Sequence, residues 1–267
     1  MNLTSSTRLN SRSQQVFRAE IGGVLCILKV ARQIRASATE RHTNAFHRLA
    51  RALSPRRMSS PAVLTRFTSS HSGVPANTDM VVTELAPSIY RDGDDVARDA
   101  VRRIGSEDRH LGAILSYIAH LSDHGVLRNF LFRTNQTGEF PFWFIDLDFA
   151  FGATMWWGDG KSVFFPGCEL SYQAARSATG LPAFAAELLG LIDRLPRQEV
   201  SRIFGLPAAE ANDLQARCSK VRRLGLAAAI GGERFWTPAD GLLTCWKETA
   251  YAKFLIACRL LRPGSAR

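Results

Sequence analysis

Residues 122–152 read SDHGVLRNFLFRTNQTGEFPFWFIDLDFAFG. The character changes along it: polar loop, apolar run NFLFR, polar linker TNQTGE, apolar run FPFWFID, acidic loop. Two short apolar runs joined by a linker that carries a glycine form a hairpin. Asp123 and Asn129 frame its entry, and Asp146 and Asp148 close its exit. Carboxylates at a buried strand end are costly unless solvated, paired or bound to a cation. The bland reading of the same pair is two turn-forming aspartates.

Upstream, EIGGVLCILKVARQ (20–33) is a Gly-Gly turn followed by an apolar strand that ends in Lys29. Ala45, Phe46, Leu49 and Leu53 recur at helical spacing, which predicts a helix over 38–53, opened by Glu40. PAVLTRF and MVVTELAP read as strands, the second stopped by Pro87. Residues 88–106 read as mixed loop and helix. HLGAILSYIAHL is a helix with Ser106 as candidate N-cap. From 182 onward the chain reads as mainly helical, each long segment opening with a proline. The expected class is α+β: a small β-rich part, a hinge near Glu84 to Pro87, and a larger helical part.

The chain has 267 residues and a net charge of +10. That charge is segregated. Residues 1–75 hold 11 arginines and Lys29 against only Glu20 and Glu40, and the rest is neutral. A basic N-terminal third suits an anionic partner such as a nucleotide or a nucleic acid, or it is simply an arginine-rich solvated face. The five cysteines form no CxxC pair, which argues against zinc and suits a reducing, cytoplasmic setting. No apolar run is long enough for a membrane span. Residues 1–18, rich in Ser, Thr, Asn and Arg, are expected to be a disordered leader.

Phosphoryl transfer needs a cation on the nucleotide phosphates, oxygen ligands for magnesium and a carboxylate beside the attacking hydroxyl. Lys29 suits the first task, and Glu40 on the next helix would hold it in place. Asp146, with Asp148 and Asn129, suits the second. Asp123 suits the third, with His124 as an alternative proton carrier and Arg128 beside a phosphate or Asp123. Each has a plainer reading as a surface or turn residue.

The series IGGVLCILKVARQ, ERHTNAFHRLARALSP, MVVTEL, SDHGVLRNFLF and WFIDLDFAFG resembles the protein-kinase-like superfamily. It is closest to the small HipA-like branch, which is related to phosphatidylinositol 3- and 4-kinases. The resemblance covers about residues 20–225. It implies a two-lobed protein-kinase-like fold: a small β-rich N-lobe over 19–86 and a larger, mainly helical C-lobe over 87–267. It implies ATP and Mg2+ as cofactors, and a protein Ser/Thr or small-molecule hydroxyl as acceptor. Lys29, Glu40 and Glu84 fall on nucleotide-binding positions, Asn129, Asp146 and Asp148 on metal positions, and Asp123, His124 and Arg128 on the catalytic loop. Asp123 lies six residues before Asn129 where the branch has five, and His124 takes the five-residue place. An active kinase with Asp123 in position and a weak or pseudokinase with His124 there both remain open. So does a non-catalytic module that binds nucleic acid or protein through the basic third. The motif EDRHLGAIL (107–115) imitates a lipid-kinase loop but has Ala113 where that loop needs Asn, and it reads as a helix start.

Overall fold

Gly22 and Gly23 adopt φ values of 58° and 82°. Positive φ at both central residues defines the two-residue turn whose twist matches a hairpin, and glycine reaches it without a Cβ penalty. The turn joins β2 (Gln15–Ile21) to β3 (Val24–Val30), with Ile21 opposite Val24. The structure is a computed structural model that describes residues 3–9, 15–30, 36–68, 73–88, 90–92, 104–121, 130–133, 140–152 and 181–231.

Around this hairpin stands a five-stranded antiparallel sheet in the order β1-β2-β3-β5-β4. Its other strands are β1 (Leu3–Leu9), β4 (Ala62–Arg66) and β5 (Asp79–Glu84). Directly opposed residues share a face of an antiparallel sheet. Phe17, Leu28 and Val82 line one face, in register, and bury a small core with Cys26, Val30, Met80, Phe67 and Val74. The opposite face carries Lys29 and Val81. Here α1 (Ala36–Leu53) sits on the sheet through a cluster of Ala36, Ala62 and Val81. The Asn44 side chain fixes the contact by donating to the Ala62 carbonyl and accepting from its N–H, both at 2.9 Å.

The predicted leader is not a leader throughout, because Leu3–Leu9 and Gln15–Ile21 are strands. Leu3 packs on the small core, while most of β1 is exposed, so Ser, Thr and Arg are compatible with an edge position. Two further details differ. The α1 helix starts at Ala36, which places Glu40 beyond its first turn. Gly105, not Ser106, occupies the N-cap of α2 (Ser106–Ile118), with no side-chain cap.

The larger core gathers the buried face of α1, α2, and a three-stranded sheet of β6 (Tyr90–Asp92), β7 (Phe130–Arg133) and β8 (Phe142–Phe144). The expected hairpin is present as the β7–β8 antiparallel pair; β6 at Tyr90–Asp92 was not anticipated. Phe130 faces Phe144 and Phe132 faces Phe142, and Phe140 meets Phe142 edge-on with ring centroids 4.7 Å apart. Burying each such ring contributes roughly 1.5–3 kcal/mol. Three helices complete the core: α3 (Ala183–Arg194), α4 (Arg197–Phe204) and α5 (Ala208–Gly231, broken at Gly225). Among the described residues no helix is long and apolar enough to cross a membrane.

Gly112 is where α2 and β8 come closest. A Cβ there would run into Phe142 Cζ and lie 2.8 Å from Cε2. Phe142 is held by Phe130, Phe140 and Phe144, so it cannot swing aside cheaply. Gly112→Ala is expected to destabilise the fold by about 2–3 kcal/mol. Urea midpoints should show the loss and its partial recovery in Gly112→Ala/Phe142→Leu. An unchanged midpoint for the single variant would refute the close approach.

Candidate functional site

Lys29 lies one residue from the end of β3, on the face that looks toward α1. Beneath α1 runs a 3-10 turn, Leu147–Gly152, entered directly from the β7–β8 hairpin. The turn brings Asp146 and Asp148 up to the lysine. Lys29 Nζ is ion-paired with Asp146 Oδ1 and stands 2.6 Å from Asp148 Oδ2. The three side chains differ in their access to water. Asp148 is 4% exposed, Lys29 14% and Asp146 41%. Asp146 is therefore the open side of the cluster and Asp148 its floor.

Burial alone would push the Lys29 pKa down, but the two carboxylates outweigh it and hold the ammonium above its ordinary value. With one cation and two anions, the cluster has a net charge of −1. Asp146 sits at φ 58°, in the left-handed region that non-glycine residues seldom occupy. Such conformations persist where the surroundings over-determine them, and they gather at functional sites.

Behind the cluster lies a residue that the sequence reading did not select. His42 on α1 is 0% exposed. Its Nδ1 donates to the Asp148 carbonyl at 3.0 Å, and its Nε2 faces Glu210 Oε1 at 3.3 Å. Glu210 stands in the first turn of α5, with Arg41 Nη2 3.6 Å away. The signal available in sequence was His42 four residues before Phe46, on the apolar stripe of α1. Its partner lies 168 residues away and had no local signal.

Glu40 does not hold Lys29 in place: no ion pair joins them, and the two aspartates take that role. Glu84 closes β5, one pleat face away from Val81, and so on the other face from Lys29. Its carboxylate is paired with Arg57 at 2.9 Å, and its carbonyl accepts from Ser60 Oγ at 3.0 Å. Asp123, His124, Arg128 and Asn129 lie outside the described residues.

Part of the basic third is paired within the fold. Lys29, Arg41, Arg56, Arg57 and Arg66 all pair with acids from beyond residue 75: Asp146 and Asp148, Glu210, Asp108, Glu84 and Asp79 respectively. Arg56 and Arg57 also stack over Phe140 and Trp143. The acidic residue of the lipid-kinase imitation, Asp108, is thus a structural partner of Arg56.

Among the described residues no group of three or more His, Cys, Asp or Glu side chains gathers to hold a metal. Two hard carboxylate oxygens beside a lysine suit magnesium, which is commonly held by one or two carboxylates with phosphates and waters completing the shell. Zinc sites gather three or four Cys, His or carboxylate ligands, and no such group is present among the described residues. No protein-family model matches the chain, and no curated protein matches it.

Proposed function

We propose that the chain is an ATP- and Mg2+-dependent phosphotransferase with a two-lobed, HipA-like kinase architecture. The single observation that carries this is the meeting of Lys29 with Asp146 and Asp148 across 117 residues of sequence. Lys29 has the chemistry to meet phosphates, and Asp146 and Asp148 have the chemistry to hold the cation. A strand-end lysine facing a carboxylate pair at a hairpin exit is a competent arrangement for a metal–polyphosphate ligand.

In this reading Lys29 leaves its carboxylates to grip nucleotide phosphates, and Asp146 and Asp148, with Asn129, hold the cation. The bound magnesium would supply charge neutralisation of the phosphates. Asp123 orients the acceptor hydroxyl, with His124 and Arg128 beside it. Glu84 closes the strand that leads into the nucleotide hinge, where Leu85 N–H bonds Leu25 O at 2.9 Å. The acceptor is a protein Ser/Thr or another hydroxyl. Free thiols at Cys26 and Cys218 are in keeping with a reducing, cytoplasmic setting.

Thermal unfolding tests the reading. A ligand at 100 times its Kd adds about 2.7 kcal/mol. For a chain of this size that raises Tm by roughly 5–10 °C. ATP with Mg2+ should produce such a rise, and ATP with EDTA a smaller one. No rise with either would end the phosphotransferase reading.

A further inference from the structure

We propose that His42 is a positioning residue that holds the Asp146–Asp148 turn through the backbone. The proposal rests on the phosphotransferase reading for its consequence in binding, but not for its geometry.

Asp148 is held from two sides. Its carboxylate meets Lys29, and its carbonyl accepts from His42 Nδ1. A carbonyl can only accept, so Nδ1 carries the proton of that bond. At the far edge of the ring, Nε2 lies 3.3 Å from a Glu210 carboxylate oxygen, and Glu210 in turn lies beside Arg41. The link therefore runs from α5, through α1, into the turn that carries both aspartates.

The turn is anchored from outside elsewhere too. Phe151 N–H donates to the Ala119 carbonyl at 2.6 Å. Asp146 at φ 58° and Phe151 at φ 59° bracket the segment in left-handed conformations. A turn bracketed by two strained residues needs outside contacts to stay in register. His42 supplies such a contact next to the carboxylates. Without it, the buried Asp148 carbonyl loses a donor and the aspartates lose their common orientation.

Two variants separate positioning from packing. His42→Phe keeps a buried ring and loses the donor. His42→Asn places an amide N–H near the Nδ1 position and loses the reach to Glu210. Two readouts are taken on the full chain: affinity for ATP with Mg2+ by calorimetry, and amide exchange over residues 146–152. His42→Phe should weaken binding about 10-fold or more, in the range seen when residues behind metal ligands are lost. It should also speed exchange in the turn. His42→Asn should recover most of both. Equal behaviour of the two variants, or unchanged exchange in His42→Phe, overturns the proposal. If the unmodified chain binds no ATP with Mg2+, the phosphotransferase reading falls by itself. The exchange comparison then decides His42 alone.

Discussion

Lys29→Met is expected to unfold at markedly lower urea, with a loss of about 3 kcal/mol, and, on the phosphotransferase proposal, to lose nucleotide binding. Removing one partner of a buried ion pair leaves the other charge uncompensated, at a cost of roughly 3–5 kcal/mol. The lower end applies because Asp146 is 41% exposed and can turn to water. Asp148, 4% exposed, cannot. The damage should therefore be relieved by a second change at Asp148 and not by one at Asp146. Lys29→Met/Asp148→Asn should regain most of the lost stability, and Lys29→Met/Asp146→Asn little. The pH dependence has a definite sign. The folded-state pKa of Lys29 is raised, so its contribution is complete below the ordinary value of 10.5 and is lost only as pH rises through the raised one. Lys29→Met should be less stable than the parent throughout the neutral range, and the two should converge in alkali. A Lys29→Met chain within 1 kcal/mol of the parent at pH 7 would mean that the buried pair does not bear on the fold.

The parts of this site that were legible in the sequence are those with local physical signals. The Gly22–Gly23 turn, the apolar alternation of β3 and the aromatic hairpin each declare themselves within a few residues. Asp146 and Asp148 stand out because carboxylates rarely follow a strand as apolar as FPFWFI without a reason. What was not legible depends on long-range pairing. The surplus of arginine in residues 1–75 looked like a surface for an anionic partner. Four of those arginines are instead matched by acids from later in the chain, as with Arg56 and Asp108 or Arg66 and Asp79. Segregated charge along a sequence can be complementary charge in space. Read from sequence, Glu40 stands near a helix start and suits a partner for Lys29. The helix begins earlier, at Ala36, and aspartates 117 and 119 residues downstream take the pairing role. The first strand escaped notice because an exposed edge strand has no apolar alternation to reveal it.

On the phosphotransferase proposal, Asp146→Asn is expected to reverse the metal dependence of nucleotide binding, which is a sharper outcome than simple loss. In the unliganded cluster Lys29 neutralises one of two carboxylates. A cation arriving alone meets an ammonium already seated between its ligands. A polyphosphate arriving alone meets two negative charges. Each obstacle is lifted by the other ligand, so the two should bind with mutual strengthening, commonly 5- to 150-fold for coupled sites. Asp146 is the residue to alter because it is the solvated member. Its replacement leaves the buried Lys29–Asp148 pair intact, and asparagine tolerates φ near 58° better than most side chains. The fold should therefore lose little. Removing the charge frees Lys29 from one partner and takes one negative group away from the phosphates. Between partly exposed charges this is worth on the order of 1 kcal/mol, so metal-free ATP should bind about 5-fold more tightly than to the parent chain. With magnesium in excess the order inverts. One of the two carboxylate ligands is gone, and affinity should fall on the order of 100-fold. Calorimetric titration of ATP into parent and variant, with EDTA and then with excess Mg2+, would reveal the crossing. If Asp146→Asn weakens both titrations alike, Asp146 serves the nucleotide pocket without holding the cation. If it weakens neither, the acidic pair is a structural clasp for Lys29, and the metal must be held by other residues.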